Sequence, residues 1–304
     1  MNMLRRHGML ATIVALSVIV RIIYFVQLQK SPCIWQHRWT QSDMFYFDQW
    51  GQAIAAGDWL SKTVSVPMHN WHVNIAMEHL NRNLAQLTPL HAKAAEDPDP
   101  DRVRAVARAL WSEWLGKHVF YQDPLYSYLT GIIYAILNPD PGWVFLFQML
   151  AGVTTTVLIF LIARFCFGPA VAGIAGLLAA LYSPALYYEL VLVRESLITM
   201  MSLLLAGLTL LILKYRQRHW WFLTGIVLGI AILLKSTFIL LGLGLTAGLT
   251  VKQWRERQAL MPSLSLLVIG LILALSPLVA RNLLVGASPF SLASGGINTL
   301  IFHN

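Results

Sequence analysis

The sequence predicts an all-α polytopic membrane protein with about seven transmembrane helices and a long extracytoplasmic first loop containing amphipathic juxtamembrane helices. Three observations predict it. Of 304 residues, 57% are apolar and only 12% charged, with a mean hydropathy of +0.61, too apolar for an ordinary soluble domain. Apolar runs recur at lengths approaching the ~20 residues that cross a hydrocarbon core. The basic residues gather in short loops between those runs, where they set orientation. That last pattern also accounts for the net charge of +8 without a nucleic-acid partner.

The first run, Met9 to Leu28, follows Arg5, Arg6 and His7. Arg21 interrupts it and no small-residue cleavage site follows, so a retained helix is expected rather than a signal peptide. Beyond a polar stretch come apolar runs at 124–137, 143–163, 169–188, 196–213, 219–234, 236–251 and 262–280. Arg5 and Arg6 place the amino terminus in the cytoplasm. The clusters Lys214, Arg216, Arg218 and Lys252, Arg255, Arg257 share that side, with Arg164, only if 124–137 does not cross. That run is short for a span, and Tyr126, Tyr128 and Tyr134 suit an interfacial or re-entrant helix. The run 219–251 reads as a hairpin with Lys235, Ser236 and Thr237 at its outer tip.

The expected organisation is therefore a first span at 1–28, an outer loop at 29–142, a six-helix bundle at 143–280 and an outer tail at 281–304. Cys33 and Cys166 fall on opposite sides of the membrane, which argues against a disulfide, and no metal motif is available. In the long loop, Asp99 and Pro100 supply an N-cap and first turn ahead of an apolar stripe at Val103, Val106, Ala107, Leu110, Trp111 and Trp114, closed by Gly116. Such a helix lies on the membrane surface or packs on other loop helices. The segment from Lys62 to Ala95 reads as partly helical. Its His69, His72, His79 and His91 lack metal-ligand spacing and read as scattered surface residues.

The stretch "SDMFYFDQWGQAIAAGDWL", Ser42 to Leu60, puts two acids at the membrane edge. It reads as about four helical turns closed by Gly57, with Asp43 at the start as N-cap or as a functional carboxylate. Asp43 and Asp48 lie about 140° apart on that helix, so one serves chemistry while the other serves structure. An outward carboxylate can deprotonate a hydroxyl acceptor or hold a cation against phosphate. Candidate phosphate-binding cations on the same face are Arg21, Arg194, Lys235 and Arg281. Singly, each also has a plainer role: Arg194 as partner of Glu189 or Glu195, Lys235 snorkelling, Arg281 on a lipid headgroup.

In order, an outer arginine in the first span, the acidic stretch above, "FYQDPLYSYLTGIIYAIL", "YYELVLVRESLITMMSLLLAGL", "GIVLGIAILLKSTFILL" and "ARNLLVGASPFSLASGGINTLIFHN" resemble the membrane glycosyltransferases of the GT-C type. Within these the chain is most similar to the protein O-mannosyltransferase-like family, which includes the lipid A aminoarabinose transferase. The resemblance implies a transferase that takes a sugar from a polyprenyl-phosphate carrier on the extracytoplasmic side and passes it to a protein or lipid acceptor, in contact with membrane lipids. It implies no fixed cofactor and leaves room for a divalent cation, with the ligands unassigned. The family's first-loop acid falls on Asp43; its following acid is here Met44, which leaves Asp48 as a substitute. The polar pair before the loop-end proline falls on Gln122 and Asp123, and the acid between the third and fourth spans on Glu195, beside Arg194. Tyr46 and Asn298 join Gln122 and Asp123 as expected substrate-binding residues. The family resemblance further implies a bacterial inner membrane.

Members of the family continue with further spans where this chain stops at "GGINTLIFHN", so a fragment or degenerate copy is expected. Two rival functions remain at this stage. A transporter or flippase for a lipid-linked sugar would show broken midplane helices and an internal repeat, and neither is visible. A non-catalytic membrane subunit would tolerate substitution of Asp43.

Overall fold

The computed structural model describes residues 2–62, 69–82, 99–115, 118–256 and 260–294. Every regular element among them is helical, and no strand occurs among the described residues. The chain divides into two compact units, one of residues 1–56 and 125–277, the other of residues 57–124 and 278–304.

In the first unit, α1 (Asn2–Leu28) leads through a 3-10 segment (Pro32–Arg38) to α2 (Asp43–Ala55). Leu125–Ile136 forms a helix that follows two helices of the second unit, α3 (Asn70–Arg82) and α4 (Pro100–Trp114), and is α5. Then come α6 (Pro141–Phe167), α7 (Pro169–Leu181), α8 (Ser183–Tyr188), α9 (Glu195–Tyr215), α10 (His219–Leu234), α11 (Phe238–Arg255) and α12 (Leu260–Val285). Four of these are long and apolar enough to cross a membrane: Gly8–Leu28 of α1, α6, α9 and α12. The apolar helices α5, α7 and α10 are shorter, with 12, 13 and 16 residues.

Local chemistry sets the boundaries. Asp140 caps α6 by accepting from the Gly142 N–H at 2.9 Å, with Pro141 in the first turn, and the helix stops at Gly168, whose φ of 91° suits glycine. The run read as 169–188 breaks at Tyr182, ahead of Pro184, into α7 and the short α8. The run 219–251 breaks at Lys235, Ser236 and Thr237, where the sequence places the hairpin tip. The last helix continues past 280 to Val285 and carries Arg281 in its own final turns, so Arg281 is not the start of a tail.

Arg216 pairs with Glu256 at 3.1 Å, and the Lys214 Nζ lies 4.5 Å from the Phe165 ring centroid. The carboxyl ends of α6, α9 and α11, with their basic residues, therefore sit together at one end of the bundle. Ile212, Trp221, Leu249 and Leu267 form an apolar cluster joining α9 to α12. Close helix approach makes glycine obligatory between α10 and α12: a Cβ on Gly225 would overlap the Leu267 carbonyl, and one on Gly270 the Phe222 carbonyl.

α5 packs closely on α2. Tyr126 and Tyr134 are buried against α2, where Gly51 meets Thr130 and Gly131 meets Ile54. Its 12 residues span about 18 Å, and one face of them is given to α2.

In the second unit, the apolar stripe of α4 packs on α3. Ala107, Leu110 and Trp111 are buried with Ala76 and Leu80, and Trp111 Nε1 donates to the His72 carbonyl at 2.8 Å. Of the two expected settings for this helix, packing on a loop helix is present, because α3 offers a complementary apolar face. His72 is likewise no surface residue. It is fully buried, stacked on Trp71 with centroids 3.4 Å apart, and its Nδ1 accepts from the His69 N–H at 3.1 Å, which leaves the proton on Nε2. His91 and Gly116 lie outside the described residues. Arg281 donates to the carbonyls of Leu60, Ser61 and His118 at 2.6–2.8 Å and lies over the Phe120 ring at 3.9 Å.

Two outcomes follow from this packing. Gly225→Ala should lower thermal stability in detergent by about 1–3 kcal/mol, because the obstructing atoms are backbone. Burial pushes the His72 imidazole down to about 4 from its ordinary 6.5. The unfolded segment takes up that proton as pH falls through 6.5 while the folded pair resists until about 4. The contribution is thus whole above pH 6.5 and lost between 6.5 and 4, by at most about 3 kcal/mol. Hydrogen exchange of α3 and α4, corrected for intrinsic rates, should show this loss, and His72→Phe should abolish it.

Candidate active site

The start of α2 is set by Ser42, not Asp43. The Ser42 hydroxyl accepts from the Phe45 N–H at 3.1 Å, and Asp43 occupies the first turn, exposed and at the positive end of the helix. Asp48 is buried at 5% exposure. Its two oxygens accept from the Tyr134 hydroxyl at 2.6 Å and from Gln52 Nε2 at 2.7 Å, which clamps α2 to α5.

The two faces of α2 meet different surroundings. Asp43 and Phe47, four residues apart, share one face. The Arg194 guanidinium lies over the Phe47 ring at 5.7 Å, and its Nη1 donates to the Leu234 carbonyl at 3.4 Å, one residue before Lys235. Of the predicted residues, Arg194 thus reaches α2 at Phe47, one turn from the exposed Asp43, and its carbonyl partner precedes Lys235 in the chain. Tyr46, beside Phe47, is buried with its ring 5.6 Å from Trp50.

The opposite side of α2 opens on a cavity of ≈ 1080 Å³, lined by Phe45, Asp48, Gln49 and Gln52 of α2, by Trp35, His37 and Arg38 of the 3-10 segment, and by Asp140 and Trp143 at the start of α6. Arg38 stacks on Trp35 at 3.9 Å. Burial pushes the His37 imidazole down, against the pull of Asp48. Of the predicted site residues that are described, Asp48 alone lines this cavity. Sequence reading missed Trp35, His37, Arg38 and Asp140, although a run of rings and cations after a span was the available signal.

Arg21 and Glu195 are elsewhere. The guanidinium of Arg21 makes a two-pronged ion pair with Glu189, both contacts at 2.7 Å, and also donates to Ser17. Both side chains are almost wholly buried. Arg21 is therefore spent on Glu189, and the alternative partner for Glu189, Arg194, points to α2 instead. Gly152 is required here, since any Cβ would overlap the Glu189 carboxylate. One turn away Gln148 donates through Nε2 to the carbonyls of Tyr188, Glu189 and Val191 and accepts from the Tyr126 hydroxyl. Glu195 lines a separate crevice with Arg21 and Glu189, not the Asp48 cavity.

Arg281, whose donors are taken by backbone carbonyls, is a structural clamp rather than a free phosphate ligand. Asp123 is buried and Gln122 half-buried where the chain enters α5. Asn298 lies outside the described residues. Both cysteines are free, and among the described residues no group of three or more His, Cys, Asp or Glu could hold a metal ion.

Removing one member of the Arg21–Glu189 pair leaves a buried charge unmatched. Arg21→Ala or Glu189→Ala should each destabilise by about 3–5 kcal/mol, and the double variant by less than the sum, as a thermal-unfolding cycle in detergent would measure.

No curated protein and no solved structure gives a significant match to the chain. A sequence model of one family does match, described as dolichyl-phosphate-mannose-protein mannosyltransferase, over residues 121–280, from the turn before α5 into α12. That stretch contains Arg194, Lys235, Glu189 and Glu195 and covers more than half of the 304 residues, so the chain belongs to the dolichyl-phosphate-mannose-protein mannosyltransferase family.

Proposed function

We propose that the chain is a membrane glycosyltransferase that moves a sugar from a polyprenyl-phosphate carrier to a hydroxyl of a protein or lipid acceptor. In this reading the chain has seven crossings and a cytoplasmic amino terminus, and transfer occurs on the extracytoplasmic face of a bacterial inner membrane. The observation that carries the reading is the family match over residues 121–280, the stretch that brings Arg194 to the Asp43 face of α2.

The chemistry assigned to that face is a displacement at the anomeric carbon. The acceptor oxygen forms the new bond to carbon while the bond to the carrier's phosphate oxygen breaks, and the phosphate leaves with the electron pair. The acceptor proton passes to the Asp43 carboxylate, which is exposed and therefore accessible. Arg194 and Lys235 offset the negative charge that builds on the leaving phosphate. Asp48 holds α2 on α5, which keeps Phe47 under Arg194 and fixes the turn that carries Asp43. Arg21, Arg281 and Glu195 have no part in this step.

A second placement of the same activity is favoured by the ≈ 1080 Å³ cavity, whose lining includes Asp48 and Arg38 and where the Trp35 and Trp143 rings could stack on a sugar. One experiment separates the two. Sugar transfer is followed from radiolabelled polyprenyl-phosphate sugars in membranes holding equal amounts of the chain, its Asp43→Asn form and its Asp48→Asn form. Asp43→Asn should lose about 10²- to 10⁴-fold in kcat with an unchanged melting temperature. Asp48→Asn should lower stability by about 1–3 kcal/mol and act mainly through folding. Loss of kcat on Asp48→Asn with stability intact would move the chemistry to the cavity, and transfer untouched by either change would remove both acids from it.

A further inference from the structure

A second crevice, of ≈ 550 Å³, lies among α1, α6, α7, α8 and α9, and the transfer step proposed above does not use it. Its wall is apolar, with Ile159, Leu178 and Ala179 along it, and Leu178 is exposed on the outer surface of the bundle. Its polar end is unusual. The Arg21–Glu189 pair there is internally neutral, whereas Glu195 adds a carboxylate.

Three residues lining this crevice each carry a buried oxygen with no hydrogen-bond partner among the described residues: Glu195 Oε2, Ser196 Oγ and Thr155 Oγ1. Ser196 is 8% exposed. Buried polar atoms in native folds are nearly always paired, so three orphans in one cavity call for a ligand that pairs them. Each can accept a hydrogen bond; the two hydroxyls can also donate one, and the third oxygen belongs to a carboxylate. A primary ammonium has three donors and one positive charge, which matches the set in number and sign. A phosphate or carboxylate would add like charge beside Glu195. A quaternary ammonium would supply charge but no donors. An apolar ligand would leave all three oxygens unpaired.

We propose that this crevice binds the primary ammonium head of an amphiphile, with the hydrocarbon chain lying along the α6–α7 wall toward lipid. The site is separate from the Asp43 face and does not depend on the assignment of activity. Two sources share this chemistry, the headgroup of an aminophospholipid and a free long-chain amine.

The test uses the whole chain in phosphatidylcholine nanodiscs with three photoactivatable hexadecyl probes bearing an ammonium, a trimethylammonium or a hydroxyl head. The ammonium probe should label α6 and α9 peptides about tenfold more than either other probe, the ratio expected for charge-assisted hydrogen bonds. Glu195→Gln should reduce that labelling about tenfold and Thr155→Val less, about threefold. Displacement by phosphatidylethanolamine identifies a phospholipid headgroup, and displacement by hexadecylamine alone identifies a single-chain amine; either supports the site. Equal labelling by the three heads on the unaltered chain overturns the proposal, whatever the variants do. Should Glu195→Gln fail to fold, that comparison and Thr155→Val still decide.

Discussion

The ion pair between Arg21 and Glu189 is the constraint on which the first unit depends. It joins residues 168 apart in sequence and leaves neither side chain appreciably exposed. In a medium without water neither charge is tolerable alone, so the first span and the turn before α9 must meet. The pair also dictates its neighbours. Gly152 has to be side-chain-free to admit the carboxylate, and Ser17 turns its hydroxyl to the guanidinium and to Thr156. Gln148 then gathers three carbonyls of the same turn, those of Tyr188, Glu189 and Val191. A turn fixed this firmly delivers Arg194 and Glu195 in set directions, one toward α2 and the other into the crevice behind it.

α2 is the second organising element, and its division of labour follows from helical geometry. A single turn separates Asp43 from Phe47, whereas Asp48 falls well round the helix, where Tyr134 reaches it. A carboxylate with both oxygens engaged and little solvent orients a helix well. An exposed carboxylate at a helix start is open to a second molecule. The two acids are thus complementary, and the glycines and small side chains at the α2–α5 contact let the clamp close.

Much of the helical plan was legible because apolar runs and their caps are local signals. Asp99, Pro100 and the stripe to Trp114 gave α4, and Lys235 to Thr237 gave the break between α10 and α11. What one sequence could not convey was pairing across distance. Arg21 reads equally well as a phosphate ligand until Glu189 is beside it, and Arg281 until the carbonyls of Leu60, Ser61 and His118 surround it. Some signals were present and underused. Ser42 is a better N-cap than Asp43 in the same stretch, and Gln148 inside "FLFQML" announces an internal partner by its cost in an apolar span. The burial of His72 was hidden because the face that covers it belongs to another helix.

The clamp at Arg281 has a bearing on the order in which the second unit can be made. Its guanidinium meets carbonyls 163 and 221 residues earlier in the chain. At a synthesis rate of about 5–20 residues per second, His118 is complete roughly 8–33 s before Arg281 exists. During that interval the backbone at Leu60, Ser61 and His118 must be satisfied by water or by a chaperone. The α3–α4 pair can assemble early from neighbouring contacts, but the closing of the unit is a late, long-range event timed by the ribosome.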